Sequence, residues 1–324
     1  MKIRNLNIDG FAALAPMAGV ADRAFRELCI SYGASYTVTE MVSSKALTMQ
    51  DKKSRELLAI SDGERPCAAQ LFGDNPEIMA QAAIKALEFE PQFIDINMGC
   101  PAPKIAGNGG GSALLKNPAL IGEIVKSVRE AVEIPVTAKI RIGWDEDSIN
   151  AVEVAQICEK NGADAIAVHG RTKNQMYAPP VNLEEIRKVK EAVSVPVIGN
   201  GDIVDGVSAA EMLDRTGCDF LMIGRGALGS PWVFSNVNEY LRNGMILPEP
   251  DIEEKMNVML NHIRKLCEYK GEYIGMREAR KHSGWYIKGM RGAAMFRREI
   301  GCLEHMEQLE NLAKRVKDSC LTEM

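Results

Sequence analysis

The chain has 324 residues, 46% of them hydrophobic and 26% charged, and a net charge of −5. That balance suits a globular protein with a large core and excludes a disordered chain, which would pair low hydrophobicity with high net charge. The longest uncharged apolar run, Phe11 to Ala21, is about half the roughly 20 residues a helix needs to cross a bilayer, so no membrane span is expected.

At the start, Met1-Lys2-Ile3-Arg4 and the apolar run after it imitate a signal peptide only loosely. Asn5, Asn7 and Asp9 interrupt it, and Pro16 breaks the apolar stretch. Further along, β-rich apolar runs recur at Phe11–Ala15, Tyr36–Glu40, Cys67–Phe72, Phe93–Asn97, Val136–Ile142, Ala165–His169, Val195–Gly199 and Phe220–Gly224. Helical periodicity fills the gaps over Asp22–Tyr32, Pro76–Phe89, Pro118–Val132, Asp147–Asn161, Leu183–Ala192 and Val207–Thr216. Asp22, Asn75-Pro76 and Asn117-Pro118 are good helix starts, and Gly162 and Gly217 are good stops.

Eight β-runs alternating with helices predict an α/β fold, a TIM (β/α)8 barrel over residues 1–242. A doubly wound Rossmann sheet is the competing architecture. Residues 243–250, with two prolines and a glycine, read as a linker. After them the pattern is helical without another strand, so residues 251–324 are expected to form a small all-helical domain.

The eight cysteines, at 29, 67, 100, 158, 218, 267, 302 and 320, contain no C-x-x-C pair and no histidine at ligand spacing. Reduced thiols in a cytoplasmic protein are expected, with no metal. Between Arg264 and Arg298 stand ten Lys or Arg against three Glu, a local +7 that leaves −12 on the rest of the chain. Such asymmetry marks either a patch facing a polyanion or a solvated helix face.

In a TIM barrel the chemistry sits at the C-terminal ends of the strands. Here those ends carry Pro16, Met17 and Ala18, then Gln70, Asn97 and Cys100, then Lys139, Arg141, His169 and Arg171. The last two ends carry Asn200, Gly201 and Asp202, then Gly224 and Arg225. The two glycine turns predict a phosphate site, with backbone N–H groups free to approach and Arg225 adding charge. Gly224 to Gly229 also matches G-x-G-x-x-G, but it follows the eighth strand rather than the first of a βαβ unit, so the dinucleotide reading is rejected. Lys139 and Arg141 share one strand face by period two, and inward cations need an anion or an electron-rich partner. Cys100 sits in a Gly-Cys-Pro turn over the barrel mouth, as a nucleophile or a proton carrier; the spacing does not choose.

These motifs resemble one family. Ala-Pro-Met-Ala-Gly at 15–19, Thr-Glu-Met at 39–41, Gln-Leu-Phe-Gly at 70–73, Asn-Met-Gly-Cys-Pro at 97–101, Lys-Ile-Arg at 139–141, His-Gly-Arg-Thr at 169–172 and Gly-Asn-Gly-Asp-Ile at 199–203 are similar to those of the tRNA-dihydrouridine synthases, in their bacterial B-type subfamily. The resemblance continues through Met276-Arg277, Arg280-Lys281-His282, Gly284-Trp285-Tyr286, Lys288-Gly289 and Phe296-Arg297.

The resemblance implies a flavin barrel followed by a tRNA-binding helical domain. It implies that Pro16, Met17 and Ala18 line FMN, that Gln70 hydrogen-bonds its ring, and that Lys139 approaches the N1/O2 side. Asn200, Gly201, Asp202, Gly224 and Arg225 would hold the ribityl phosphate, with His169 near flavin and uracil. Asn97 and Arg141 would meet the uracil carbonyls, and Arg171, Arg277, Arg280 and Lys281 the RNA. The implied reaction reduces specific tRNA uridines, pointing to the D-loop, with NADPH or NADH as reductant. Cys100 would protonate C5 after hydride reaches C6. No obligate protein partner is implied, and a monomer is expected. Two segments depart from the family pattern: Ala178 to Leu183 lacks the usual glycine and acidic-tryptophan pair, and Ala106 to Gly111 is poor in basic residues. The competing readings are a flavin barrel acting on a free pyrimidine, a phosphosugar isomerase or aldolase, and a non-catalytic RNA-binding protein.

Overall fold

The computed structural model describes residues 1–321, and the expected end of the helical domain, 322–324, lies outside them. Strands β1 (Lys2–Ile3) and β2 (Leu6–Asn7) form an antiparallel hairpin. Nine more strands follow: β3 (Ala12–Leu14), β4 (Thr37–Val38), β5 (Val42–Ser43), β6 (Cys67–Phe72), β7 (Phe93–Met98), β8 (Val136–Arg141), β9 (Ala165–His169), β10 (Val197–Asn200) and β11 (Phe220–Ile223). They pair in parallel in the order β3-β11-β10-β9-β8-β7-β6-β4, with β5 added beside β6. Hydrogen bonds from Leu14 N–H to the Tyr36 carbonyl (3.1 Å) and from Ser35 N–H to the Ala12 carbonyl (2.8 Å) link the two ends of that path. The architecture is therefore a TIM barrel followed by helices, and the doubly wound sheet is excluded.

Period two sorts each strand between two cores. On β7, Ile94, Ile96 and Met98 face the surrounding helices, whereas Phe93 belongs to the core inside the barrel. The barrel bottom is closed by Tyr36, which meets Phe93 edge-on (5.2 Å) and stacks on Phe220 (5.8 Å), and by Ile3 and Ile8 of the hairpin segment. Above them lie the inward Gln70, Asp95 and Thr137, side by side in register on three adjacent strands. Asn97 and Lys139 form the next layer towards the strand ends. A plug below and polar layers above leave the barrel open at one end only.

Several boundaries differ from the sequence reading. The second strand is split at Thr39 to Met41, where the chain bends so that the Glu40 carboxylate accepts the Gly19 N–H. The helix expected from Asp147 begins at Ala151, because Asp145 and Ser148 cap a short 3-10 turn of their own. The helix over Pro76–Ala86 tightens into a 3-10 turn and ends at Glu90 in a left-handed conformation. Pro231-Trp232 does lead into a helix, Val233–Asn243, and two short helices at Ser44–Thr48 and Lys52–Leu57 were not anticipated.

Gly244 ends helix Val233–Asn243 with a φ of +70°, and Asp251 caps the next helix after an irregular stretch. The C-terminal helices are Ile252–Lys270, Glu272–Tyr286, Ala293–Ile300 and Met306–Leu321. Their core contains Met259, Leu266, Phe296 and Leu312, and it also takes in Trp232 and Ala24 from the barrel side. Helix Ile252–Lys270 thus packs on the barrel helix Arg23–Ser31. Polar contacts lock this junction: His282 meets Asp22 (3.2 Å), and the Tyr269 hydroxyl donates to Glu27 (2.7 Å). Asp22, His262 and His282 are all buried, with polar atoms within 4.8 Å of one another, a grouping that linear spacing could not reveal.

One buried ion pair ties the loops near the barrel mouth. Arg26 and Glu64 are both buried and directly paired, and Arg26 also donates to the carbonyls of Ala21 and Ala59, each at 2.8 Å. Removing one partner of such a pair strands a buried charge. Arg26→Met should therefore cost roughly 3–5 kcal/mol in denaturant unfolding. Pairing it with Glu64→Leu should recover much of that loss, and a single variant as stable as wild type would contradict this assignment.

Candidate active site

The open end of the barrel and the helix Glu272–Tyr286 enclose a cavity of about 750 Å3. That volume lies in the range of small-molecule and cofactor sites. Pro16, Met17 and Ala18 form one wall; Gln70 and Asn97 form the floor. Lys139, Arg141, His169, Asn200, Gly201, Asp202, Gly224 and Arg225 continue around it, and Cys100 stands at the rim. The structure thus brings together residues from seven strand ends that the sequence singled out separately.

Lys139 is the electrostatic centre. Its ammonium, buried in the barrel, donates to Asn200 Oδ1 (2.9 Å), whose own Nδ2 donates to the Met222 carbonyl (2.7 Å). Burial, and then Arg141, lower its pKa to about 8. Burial and the surrounding cations likewise hold His169 far below the ordinary imidazole range, so it is neutral at physiological pH. Arg141 spends its donors on the carbonyls of Gly99 (3.0 Å), Thr172 (2.7 Å) and Met176 (2.9 Å), pinning the Cys100 turn to the loop after β9.

Cys100 is half-buried, and burial raises its thiol against the opposing pull of the Ala102 N–H, Arg141 and Lys139. It is a neutral thiol at physiological pH, suited to giving a proton rather than to attacking as a thiolate. Its backbone N–H donates to Asn97 Oδ1 (2.9 Å), which fixes the turn.

Two expected contacts are placed differently. Arg171 does not reach the cavity: it is buried, and its guanidinium is committed to Asp202 (2.5 Å), the Pro179 carbonyl (2.6 Å) and His169 Nε2 (3.3 Å). Asp202 cannot attract phosphate through its carboxylate, which instead clamps Arg171 and Arg225 (3.1 Å). It acts by aiming Arg225. Gly201 beside it has a φ of +129°, and a Cβ there would fall 2.2 Å from Val181 Cγ1. That turn therefore excludes side chains and leaves bare backbone at the cavity wall.

The basic helices divide in the same way. Arg277 is exposed and lies over the Tyr273 ring (3.6 Å). Arg280, however, donates twice to the Leu303 carbonyl (3.0 and 2.8 Å), and Lys281 donates to the Gly19 carbonyl in the loop after β3. A second hollow of about 380 Å3 is lined by Arg280, Lys281, Trp285, Lys288 and Arg297, and Trp285 and Lys288 border both hollows. Sequence reasoning gave Trp285 and Lys288 no role at the site. It also missed Asp95, whose signal was an acid in the middle of an apolar strand, two residues before Asn97.

The donor set fits a flat heterocycle with acceptor edges and a phosphate tail: amide donors below, a buried ammonium at one side, and bare backbone with Arg225 at the end. If Lys281 braces the wall formed by Met17 and Ala18, Lys281→Ala should weaken retention of such a ligand several-fold in equilibrium binding, and unchanged retention would contradict the brace.

Residues 13–321 match the family model described as dihydrouridine synthase (Dus). The chain is 46% identical over 314 residues to tRNA-dihydrouridine synthase B of Vibrio vulnificus, covering 96% of this chain and 97% of that protein. It is 46% identical over 292 residues to the same-named protein of Pseudomonas aeruginosa, covering 90% of this chain and 88% of that one. Among solved structures, histamine dehydrogenase from Rhizobium sp. 4-9 matches with a TM-score of 0.59 at 13% identity, covering 82% of this chain and 50% of that one. The 6-hydroxypseudooxynicotine amine oxidase of Pseudomonas geniculata N1 matches with a TM-score of 0.57 at 13% identity, covering 75% of this chain and 49% of that one. At such identities these two structures establish the barrel fold alone. The match along nearly the whole chain establishes more: this protein belongs to the dihydrouridine synthase family, enzymes that reduce uridine with a flavin.

Proposed function

We propose that this chain is a cytoplasmic, monomeric tRNA-dihydrouridine synthase that binds FMN and is reduced by NAD(P)H. One observation carries the reading: a Lys139 ammonium held by Asn200 rather than by a direct ion pair and a neutral Cys100 thiol border the same cavity, whose far end offers bare backbone and Arg225. A planar ring with a terminal phosphate uses all three features. Bound there, a flavin would supply the hydride-transfer chemistry that uracil reduction needs.

The chain's own residues supply the rest. Lys139 would hold the ring by placing positive charge beside the part that becomes negative on reduction. Gln70 would donate to the ring, and the 201–202 and 224–225 turns would hold the phosphate. Asn97 donates to a uracil carbonyl. Arg141 steadies the Cys100 turn through the Gly99 carbonyl rather than reaching the base with those donors. Cys100 gives the proton on Sγ to C5. The uridine must leave its stack to enter, at a cost of a few kcal/mol. The exposed basic residues beside the mouth offset that cost through phosphate contacts, which a free pyrimidine could not use.

Residues 1–242 form the catalytic unit and 251–324 the RNA-binding unit in this reading. Within the latter, Arg277 and Arg297 are free to meet phosphates, whereas Arg280 and Lys281 act mainly by holding backbone.

Cys100→Ala should keep its flavin and still be reduced by NAD(P)H, because the proton is needed only in the second half-reaction. Reoxidation by tRNA should slow by roughly 10²–10⁴-fold, the usual contribution of a general acid. Wild-type turnover in the variant would remove Cys100 from this role.

The RNA grip has its own test. Binding to tRNA should weaken linearly in log–log plots against salt, and Arg277→Ala with Arg297→Ala should flatten that slope by up to about two phosphate equivalents. Reduction by NAD(P)H should be unaffected. Equal slopes and affinities would leave the basic helices as a solvated face.

A further inference from the structure

The barrel floor contains a hydrogen-bonded relay whose anchor the reaction scheme above does not use. It begins at Asp95, an acid almost wholly buried between β6 and β8. Asp95 Oδ2 lies 2.6 Å from Gln70 Nε2, and Oδ1 lies 2.5 Å from the Thr137 hydroxyl. Gln70 Oε1 lies 2.9 Å from Asn97 Nδ2. Asn97 Oδ1 then accepts the backbone N–H groups of Gly99 (3.2 Å) and Cys100 (2.9 Å).

The polarity of this chain is fixed from both ends. A carboxylate has only acceptors, so Gln70 must turn its NH2 down towards Asp95. A backbone N–H only donates, so Asn97 must turn its oxygen up towards the Cys100 turn. Only one arrangement of the two amides satisfies both ends, and it matches the donors and acceptors between them. Each NH2 has two hydrogens and spends one inside the relay. The remaining N–H of each amide has no protein acceptor among the described residues, and both residues line the cavity. Both carbonyl oxygens are already turned into the relay.

We propose that Asp95 is a positioning residue that holds the cavity floor as a surface of N–H donors, by anchoring Gln70 and, through Asn97, the Cys100 turn. This rests on the flavin reading for the identity of the ligand, but the anchoring itself does not. A donor-only floor accepts ring nitrogens and carbonyl oxygens and rejects ring N–H edges. It therefore sets which edge of a flat heterocycle can lie against the floor, before any charge interaction with Lys139.

Asp95 offers an acceptor at both oxygens while it is ionised and keeps one for Gln70 when it is neutral. Burial pushes its pKa up to about 6, and the Gln70 and Thr137 hydrogen bonds and Lys139 hold it down. The titratable groups facing it are Lys139 from β8 and the buried Tyr36 hydroxyl preceding β4. Its charge is present above its pKa and is lost as pH falls through it.

Two variants separate anchoring from mere space-filling. Asp95→Ala removes the acceptor, whereas Asp95→Asn keeps an amide oxygen for Gln70 and an NH2 for Thr137 and loses only the charge. The expected loss of flavin affinity is about ten- to a hundredfold for Ala, the range for a hydrogen bond to a charged group, with most of it restored by Asn. In the full-length chain, with and without flavin, the Gln70 side-chain NH2 signal should be followed by nitrogen–proton NMR and assigned by its absence in Gln70→Met. It should titrate with a midpoint near 6 in wild type and lose that titration in Asp95→Asn. If wild type binds no flavin but Gln70 titrates, the cofactor reading fails and the anchor stands. Equal flavin affinity in Asp95→Ala and wild type, or a Gln70 signal indifferent to both pH and Asp95, would overturn the proposal.

Discussion

A positive charge held inside the barrel is the constraint around which the rest is arranged. Taking an ammonium out of water costs several kcal/mol, and among the described residues no carboxylate is in direct ion-pair contact with Lys139, Asp95 offsetting it only from the layer below. Asn200 supplies a single acceptor and is itself held by the Met222 carbonyl. The nearby His169 stays neutral, and Arg141 is turned towards backbone carbonyls. A site built this way keeps a positive charge ready for a partner that becomes negative. Under the proposed function that partner is the reduced flavin, and the raised Cys100 thiol completes the pair of groups the chemistry needs: one that stays charged and one that stays protonated.

The helical region takes part in that arrangement. Its helix Glu272–Tyr286 carries Lys281 to the Gly19 carbonyl and His282 to Asp22, at the two ends of the loop after Ala18. Glu40 holds the Gly19 N–H from the barrel side. Gly229 makes the closeness visible: a Cβ there would fall 2.5 Å from the Trp285 backbone carbon. The same helix therefore closes the cavity with Trp285 and braces its wall with Lys281. Under the proposed function, gripping RNA and shaping the cavity are two consequences of one packing interface.

The barrel was legible because its signals are local. Alternating apolar runs and helix caps repeated often enough that strand β6 and strand β9 came out at their observed limits, while the split of the second strand at Thr39 to Met41 did not, since it depends on Glu40 reaching Gly19. The residues lining the cavity were legible for a related reason: strand ends converge in a barrel, so Lys139, Cys100 and Asn200 could be placed near one another without coordinates. What each side chain does there was less legible. Arg171 and Asp202 looked like ligand contacts, yet they neutralise each other. Arg280 and Lys281 looked like RNA contacts, yet both bind backbone carbonyls. Charge counts cannot tell an available cation from a committed one. Asp95 was overlooked because a single acid in an apolar strand carries no motif, and its meaning lies in two neighbours across the sheet, Gln70 and Thr137.

The central claim is that this cavity reduces uridine within tRNA, and nucleoside mass spectrometry tests it most directly. Purified protein with FMN and NADPH should be incubated with an unmodified tRNA transcript, and in parallel with free uridine. The account predicts that defined uridines of the transcript gain two hydrogens, while free uridine, which cannot engage the basic helices, is reduced far more slowly. An unchanged transcript despite NADPH consumption, or equally rapid reduction of the free nucleoside, would contradict it.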